Sequence, residues 1–444
     1  MRHSLFILTL LCGPPAFANT YLFDNVSVVP VLGPEAAQVQ DVLVVDGQIQ
    51  SIVSETAPPE NATVIDGAGL YLMPGLGEMH AHIPPTTQPD SLEQVLTLYL
   101  ANGITTARGM LGGPGHLKIR EAQRSGDLVG PRIYTSGPSM NGNSVKSPDD
   151  GRTKVQAYHE AGYDLLKIHP GLSLAEYNAI AEEANRLGIP FAGHVPAQVG
   201  AWQALAVGQA SVDHLDGFVE ALTPADTLGG LPPSFFNYLA APHAKAGDMP
   251  KLLQALKDNE VWVVPTESLM HRFAGLTSVD ELLANPDLRY VSLAARRNWE
   301  QQVRGALADP NYSRKAAQAF LELRLEMIKA IHEQGHGVLL GSDAPQTFQI
   351  PGFSVHDELA LYVRAGLTPQ EALQTGTSNV ARYFGVAGRR GEVKAGYDAD
   401  LVLVGGNPLN DIAHAADVRG VMVAGRWHDA AWRKRALQGI ADSK

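Results

Sequence analysis

Cysteine is almost missing from this 444-residue sequence, where Cys12 stands alone. One thiol can build neither a disulfide framework nor a cysteine zinc site. Charged residues are also sparse, at 18%, and the 34 Lys and Arg are outnumbered by 46 Asp and Glu, giving a formal charge of −12. A nucleic-acid or anionic-membrane surface needs clustered Lys and Arg, so the sequence argues against both partners. No apolar run approaches the ~20 residues that span a bilayer, and there are no low-complexity tracts. Apolar material, by contrast, is plentiful. At 45% hydrophobic residues the chain can bury large cores, which excludes compositional disorder.

The lone cysteine lies in a distinctive segment. Arg2 and His3 precede an apolar run from Leu5 to Cys12, followed by Pro14, Pro15 and Ala16-Phe17-Ala18. A basic start, a short apolar stretch and an Ala-x-Ala site predict a secretory signal peptide over residues 1–18 and a periplasmic or secreted protein. A lipid anchor on Cys12 would want a small residue before it, where Leu11 stands. Cleavage after Ala18 leaves no thiol, so any metal site must use histidine, carboxylate or a less usual ligand.

Residues 19–73 read as short β-strands with turns, including Asp46-Gly47, a two-residue hairpin signal. The same texture returns over 388–432, with Leu401–Val404 and Val418–Val423 strand-like and Ala424-Gly425 a turn. Residues 433–444 are set apart as a tail. Between the two β pieces, over 74–387, short apolar strands alternate with helical periodicity. The strand candidates are Leu76–Ile83, Ile104–Arg108, Arg132–Ser136, Asp164–His169, Pro190–Val195, Ser211–Leu215, Val261–Thr266 and Val338–Ser342. Eight βα units predict an α/β fold, a (β/α)8 TIM barrel, with a small β-sandwich formed from the N- and C-terminal segments. A doubly wound sheet is the alternative. The longest insertion, between the seventh and eighth strands, suits a lid or a homo-oligomer contact.

Chemistry-bearing residues recur at the strand ends. His80 and His82 share one face of the first strand, since side chains alternate with period two. Lys167 lies in the fourth strand, where burial as a cation is costly. His194, His214 and Asp343 sit at or near the carboxyl ends of the fifth, sixth and eighth strands, the end where barrel active sites collect. Four histidines and an aspartate suit zinc or similar divalent ions. Two adjacent cations need a bridging anion, which Lys167 would supply as a carbamate formed with CO2. Metal ions would lower the pKa of a bound water toward ~7, and Asp343 would relay its proton to the leaving group.

The pattern Pro74-Gly75-Leu76-x-x-x-His80-x-His82, followed by Lys167, His194, His214 and Asp343, resembles the amidohydrolase superfamily over nearly the whole chain. So does the return segment Gly391-Glu392-Val393-Lys394-Ala395-Gly396-Tyr397-Asp398-Ala399-Asp400-Leu401. The resemblance implies two divalent metals. His80 and His82 would hold the more buried ion with Asp343, His194 and His214 the more exposed one, and carbamylated Lys167 would bridge them. Ile104–Arg108, Gly130-Pro131-Arg132 and Gly366–Leu373 look most like the imidazolonepropionase-like and Xaa-Pro dipeptidase-like groups. Imidazolonepropionases and deaminases lack the bridging lysine, so Lys167 favours the binuclear hydrolases. Gly109, Asn141-Gly142-Asn143 and His169-Pro170-Gly171 depart from the usual sequences in loops that set substrate choice.

The expected function is an exported binuclear hydrolase that cleaves an amide or peptide C–N bond of a small substrate, of dipeptide or N-acyl amino acid type, by attack of a metal-bridging hydroxide. The same ligands would serve a lactonase, a phosphotriesterase or a cyclic-amide hydrolase. A non-catalytic metal-dependent binding protein would not need Asp343. Glu78 is a carboxylate behind His80. Four further residues are substrate-contact candidates. Arg108 could clamp a carboxylate or pair with a buried acid. His169 shares the face of Lys167. Glu267 could reach the mouth or anchor a loop, and His356 could contact substrate or cap a helix.

Overall fold

The computed structural model describes residues 19–444, so the predicted signal peptide lies outside the described residues. The first β piece forms β1 (Thr20–Val28), β2 (Gln38–Val45), β3 (Gln48–Val53), β4 (Thr63–Asp66) and β5 (Tyr71–Pro74). A bulge between Phe23 and Val26, with Asn25 at φ 56°, interrupts the register of β1. Asp46 and Gly47 have φ of 49° and 78°, the paired positive values of a type I′ hairpin turn.

After Gly75, eight parallel strands follow, each short and apolar: β6 (Leu76–Ala81), β7 (Ile104–Gly109), β8 (Arg132–Thr135), β9 (Leu166–Ile168), β10 (Phe191–Gly193), β11 (Ser211–Asp213), β12 (Trp262–Val264) and β13 (Gly337–Val338). They pair in two sheets, β6-β7-β8 and β9 through β13 in order. Backbone contacts join the sheets at both junctions. Ser136 and Met140 bridge to Leu165 and Ile168, and Met79 and His82 donate to the carbonyls of Leu340 and Ala344 (both 2.9 Å). Helices between the strands bury their apolar faces on this core. In the helix Leu174–Leu187, Tyr177, Ile180, Ala181 and Ala184 are buried, Ser173 and Glu176 form a capping box, and Gly188 ends the helix at φ 72°.

The chain then returns through β14 (Leu401–Val404), β15 (Val418–Val423) and β16 (Arg426–Asp429) to complete an eight-stranded sheet in the order β16-β15-β14-β5-β1-β2-β3, with β4 beside β1. Neighbouring strands lie ~4.8 Å apart, so β1 and β16 would be about 19 Å apart in a flat sheet. Yet the Phe23 and Trp427 rings meet at 5.2 Å, and a methyl on Gly47 would lie 3.0 Å from Gly425 Cα. The sheet therefore curls over until its two hairpin tips touch, enclosing Phe23, Val42, Val44, Leu72, Leu401 and Met422. Residues 433–444, expected as a tail, lie largely in the helix Ala430–Asp442. Its Leu437 and Ile440 pack with Leu98 and Ala101 of the helix Pro89–Ala101. Among the described residues no helix is long and apolar enough to cross a membrane.

Candidate active site

The carboxyl ends of five parallel strands or their continuations bring His80, His82, Lys167, His194, His214 and Asp343 together. His80, Lys167, His214 and Asp343 are buried. His80 Nε2 lies 3.4 Å from Lys167 Nζ and 3.6 Å from Asp343 Oδ1, and His82 Nε2 lies 2.9 Å from the same Oδ1. The ring centroid of His214 is 4.6 Å from those of both His80 and His194. Local backbone explains the convergence. His214 and Asp343 take φ of 65° and 66°, a region unfavourable for residues with a Cβ, which breaks strand alternation and turns these side chains into the cluster. Gly193 (φ 124°) lies against the lysine: a methyl there would sit 2.9 Å from Lys167 Cδ and 2.5 Å from the Ile168 carbonyl oxygen.

Partners outside the cluster set the imidazole tautomers. The Thr266 hydroxyl donates to the Pro265 carbonyl (2.7 Å), so its oxygen accepts from His214 Nδ1–H (2.8 Å), leaving the Nε2 lone pair free. His194 Nδ1 donates to Asp216 Oδ2 (2.9 Å) with the same consequence. His80 Nδ1 approaches Asp213 Oδ2 at 2.9 Å, but neither atom has an aligned hydrogen-bond partner. Such outer carboxylates and hydroxyls orient ligand histidines and raise their basicity.

Burial governs the charges. It drives His80 and His214 well below the ordinary imidazole range, with Lys167 adding to the effect at His80 and His194 at His214. Burial also lowers Lys167, against the pull of Asp213 and Asp343, which moves it toward a neutral amine. Burial pushes the Asp343 carboxyl up, but His80, His82 and Lys167 outweigh it and hold the group below the usual carboxylate range.

His80, His214 and Asp343 each offer a donor atom within 4.8 Å of the others. Neutral imidazoles with free Nε2 lone pairs, an ionised carboxylate and orphaned buried polar atoms fit a divalent metal centre of nitrogen and oxygen donors.

The four substrate-contact candidates separate. His169 belongs to the site: its ring stacks on His194 at 5.1 Å and its Nδ1 lies 2.6 Å from Ser139 Oγ. Burial, with Lys167 and His194, lowers its pKa to about 2. Arg108 is no substrate clamp. It is fully buried and donates to the Met79 carbonyl (2.6 Å), Ser211 Oγ (3.0 Å), Tyr383 Oη (2.8 Å) and Asp213 Oδ1 (3.1 Å), so its guanidinium is engaged by the protein beneath the cluster. Glu267 is a buried anchor held by Arg324 Nε at 2.8 Å. His356 lies within the helix Phe353–Ala365, behind its N-cap Gly352, and its Nε2 meets the Asn102 carbonyl at 3.0 Å, away from the cluster.

Sequence reasoning passed over Asp213. Fully buried, it accepts from Arg108 and Ser211 and faces His80 and Lys167. Its only signal was a carboxylate placed next to His214 in an apolar strand. Glu78, named only as a background carboxylate, accepts from the backbone N–H groups of His80 and Ser342 (both 2.9 Å) and from the Ser342 hydroxyl (2.5 Å). It thereby ties the first strand to the segment carrying Asp343.

A buried set of imidazoles, carboxylate and lysine at parallel strand ends is a donor set that fits a divalent metal site. The Amidohydrolase family model matches residues 71–428, and the chain belongs to that family of enzymes. It is 24% identical over 383 residues to ochratoxinase of Aspergillus niger, covering 77% of this chain and 71% of that protein. It is 33% identical to imidazolonepropionase of Vibrio vulnificus over 102 residues, 22% of each chain. Among solved structures it is similar in fold to bottromycin amidohydrolase (TM-score 0.74, 24% identity, 96% and 90% of the two chains covered). It is also similar to a Xaa-Pro dipeptidase with methionine in the active site (TM-score 0.68, 18% identity, 93% and 100% covered).

Proposed function

We propose that this chain is an exported binuclear hydrolase that cleaves an amide or peptide C–N bond of a small substrate. The observation that carries it is the convergence of His80, His82, Lys167, His194, His214 and Asp343 in one cluster, with outer partners that leave imidazole lone pairs free. The contacts at both junctions of the parallel sheets support a closed (β/α)8 barrel over 74–387, with the curled sheet of 19–73 and 388–432 as its companion. The segment 1–18 supports export to the periplasm or medium.

His80, His82 and Asp343 would hold one divalent ion, zinc by preference, and His194 and His214 the other, with Lys167 shared between them as a carbamate. When bound, such ions polarise a substrate carbonyl and acidify water. The chain's own part follows from its geometry. The neutral Lys167 amine adds to CO2 and loses a proton, and burial favours that neutral form. Asp343, its Oδ1 fixed by Gln346 Nε2 at 3.0 Å, takes a proton from the attacking water. As the C–N bond breaks, Asp343 returns the proton to the amine nitrogen, yielding a carboxylic acid and an amine.

Metal analysis with parallel assays tests this reading. Purified enzyme should hold two equivalents and lose activity to chelators. A panel of dipeptides, N-acyl amino acids, lactones and phosphotriesters should show turnover on the first two groups. Lys167→Ala should drop one equivalent of metal and the carbamate carbon signal seen with labelled CO2. Full occupancy in that variant would exclude the bridge.

A further inference from the structure

The two longest insertions, after β11 and after β12, meet beside the histidine cluster and enclose a cavity of about 160 Å³. Phe235 and Tyr238 line it from the first insertion, and Met270, Phe273, Tyr312 and Phe320 from the second. Its two phenols direct their polar ends to the backbone. Tyr312 donates to the Ala274 carbonyl at 3.0 Å, and Tyr238 accepts from the Ser313 N–H at 3.1 Å. Ser234, Asp309 and Asn311 also line it, and the rest of the wall is hydrocarbon. A hydrocarbon-lined cavity of ~150 Å³ accommodates one benzene ring.

The cavity is linked to the site by a chain of rings. Phe235 meets Phe273 at 4.6 Å and Phe236 at 4.6 Å, and Phe236 in turn lies 5.5 Å from His214 and 6.2 Å from His194. Phe236 and Asn237 both sit at left-handed φ, 45° and 49°, and Asn237 Nδ2 donates to Glu220 Oε1 at 2.5 Å. A bulky side chain in that conformation is strained, and strain of this kind collects where a side chain must be held against a ligand. Here it holds Phe236 over the histidines and Phe235 in the cavity wall.

We propose that this cavity is the specificity pocket of the hydrolase and takes a phenyl-sized apolar group attached beside the scissile amide, with Phe236 as the wall between that group and the reacting carbonyl. The proposal rests on the amide-hydrolase reading for its chemistry but not for its binding. Matched pairs of dipeptides and N-acyl amino acids, differing only by Phe against Ala on one side of the cleaved bond, test it. The phenyl member of at least one series should have a kcat/KM roughly ten- to hundredfold higher, as burial of one ring implies. Ala306→Phe, which fills the cavity from the helix Leu293–Leu307, should erase that preference and leave the alanyl member within twofold. No preference, or equal loss on both members in a folded variant, overturns the pocket. Should Ala306→Phe fail to fold by circular dichroism, Ala274→Leu repeats the test. If no amide is cleaved, the functional reading falls on its own. The pocket is then decided by ligand-observed NMR with toluene: saturable binding lost in the filled variant upholds it, and absence of binding overturns it.

Discussion

Lys167 and Arg108 bring two basic groups into one buried space, and Asp213 touches both, at 3.6 Å and 3.1 Å. Removing its charge while keeping its shape would leave the Arg108 cation without its only ion-pair partner among the described residues, and His80 without the carboxylate at its Nδ1. Breaking a buried pair from one side costs about 3–5 kcal/mol. Asp213→Asn should therefore lower unfolding free energy by about that amount in urea titration and weaken metal retention; a loss below ~1 kcal/mol would show that other groups balance the two bases. His356 offers a pH test far from the cluster. Burial lowers its pKa from 6.5 to about 4, so the folded state resists a proton that the unfolded chain accepts. The stability from its neutral form is intact above pH 6.5 and drains away as pH falls toward 4, by up to about 2 kcal/mol for a ring not wholly shielded. His356→Gln should flatten the decline in melting temperature over that window; an unchanged slope would place the acid sensitivity elsewhere. The six cluster residues are legible in the sequence because polar side chains stand out at the ends of apolar strands. Asp213 is not, because strict alternation puts it on the face opposite His214. Only the positive φ at 214 lets both reach the site, and no residue type in Val212-Asp213-His214-Leu215 encodes that turn.

At the scale of elements, the site is braced from outside the strands. Arg324, in the helix Arg314–Gln334, donates to the His214 carbonyl (2.7 Å), the Pro265 carbonyl (2.8 Å) and Glu267 (2.8 Å). One side chain thus secures the ends of β11 and β12, where the backbone of His214 and Thr266 is left-handed. Arg324→Leu would bare these carbonyls and strand the buried Glu267 carboxylate. It should cost about 3–5 kcal/mol by denaturant unfolding, and kcat should fall more than KM rises as His214 loses its setting. Recovery of stability on adding Glu267→Gln would confirm that the stranded charge, not the lost packing, dominates; no recovery would reverse that assignment. The helix is plain from its periodicity, but Arg324 reads as one more solvated cation, because its partners come from segments about 60 and 110 residues away. Strand limits suffer likewise. Sequence places the eighth strand at Val338–Ser342, whereas the regular ladder ends at Val338. Beyond it Leu340 donates to Thr375 and accepts from Met79, so that segment is fixed by irregular contacts rather than by pairing.

For the whole molecule, the question is whether the curled sheet and the parallel strands are one cooperative unit or two. Both chain ends build the curled sheet, and one residue, Gly75, separates its β5 from β6, which carries His80. Gly75 N–H donates to the Asp400 carbonyl at 2.8 Å, and the Asp400 carboxylate takes two hydrogen bonds from Arg132, at the start of β8, at 2.6 and 3.2 Å. The helix Ala430–Asp442 adds a second grip, with Arg433 Nε donating to the Ala101 carbonyl at 2.6 Å. Unfolding either part alone would strip β5 from β14 and leave the Asp400 and Arg132 charges without each other. The two parts should therefore melt together. Calorimetry should show a single transition whose midpoint rises with added zinc, because ligand bound only to the folded state stabilises everything that unfolds with the site. Two resolved transitions, with only one responding to metal, would show that the sheet is an independent domain and that these contacts do not couple it to the site.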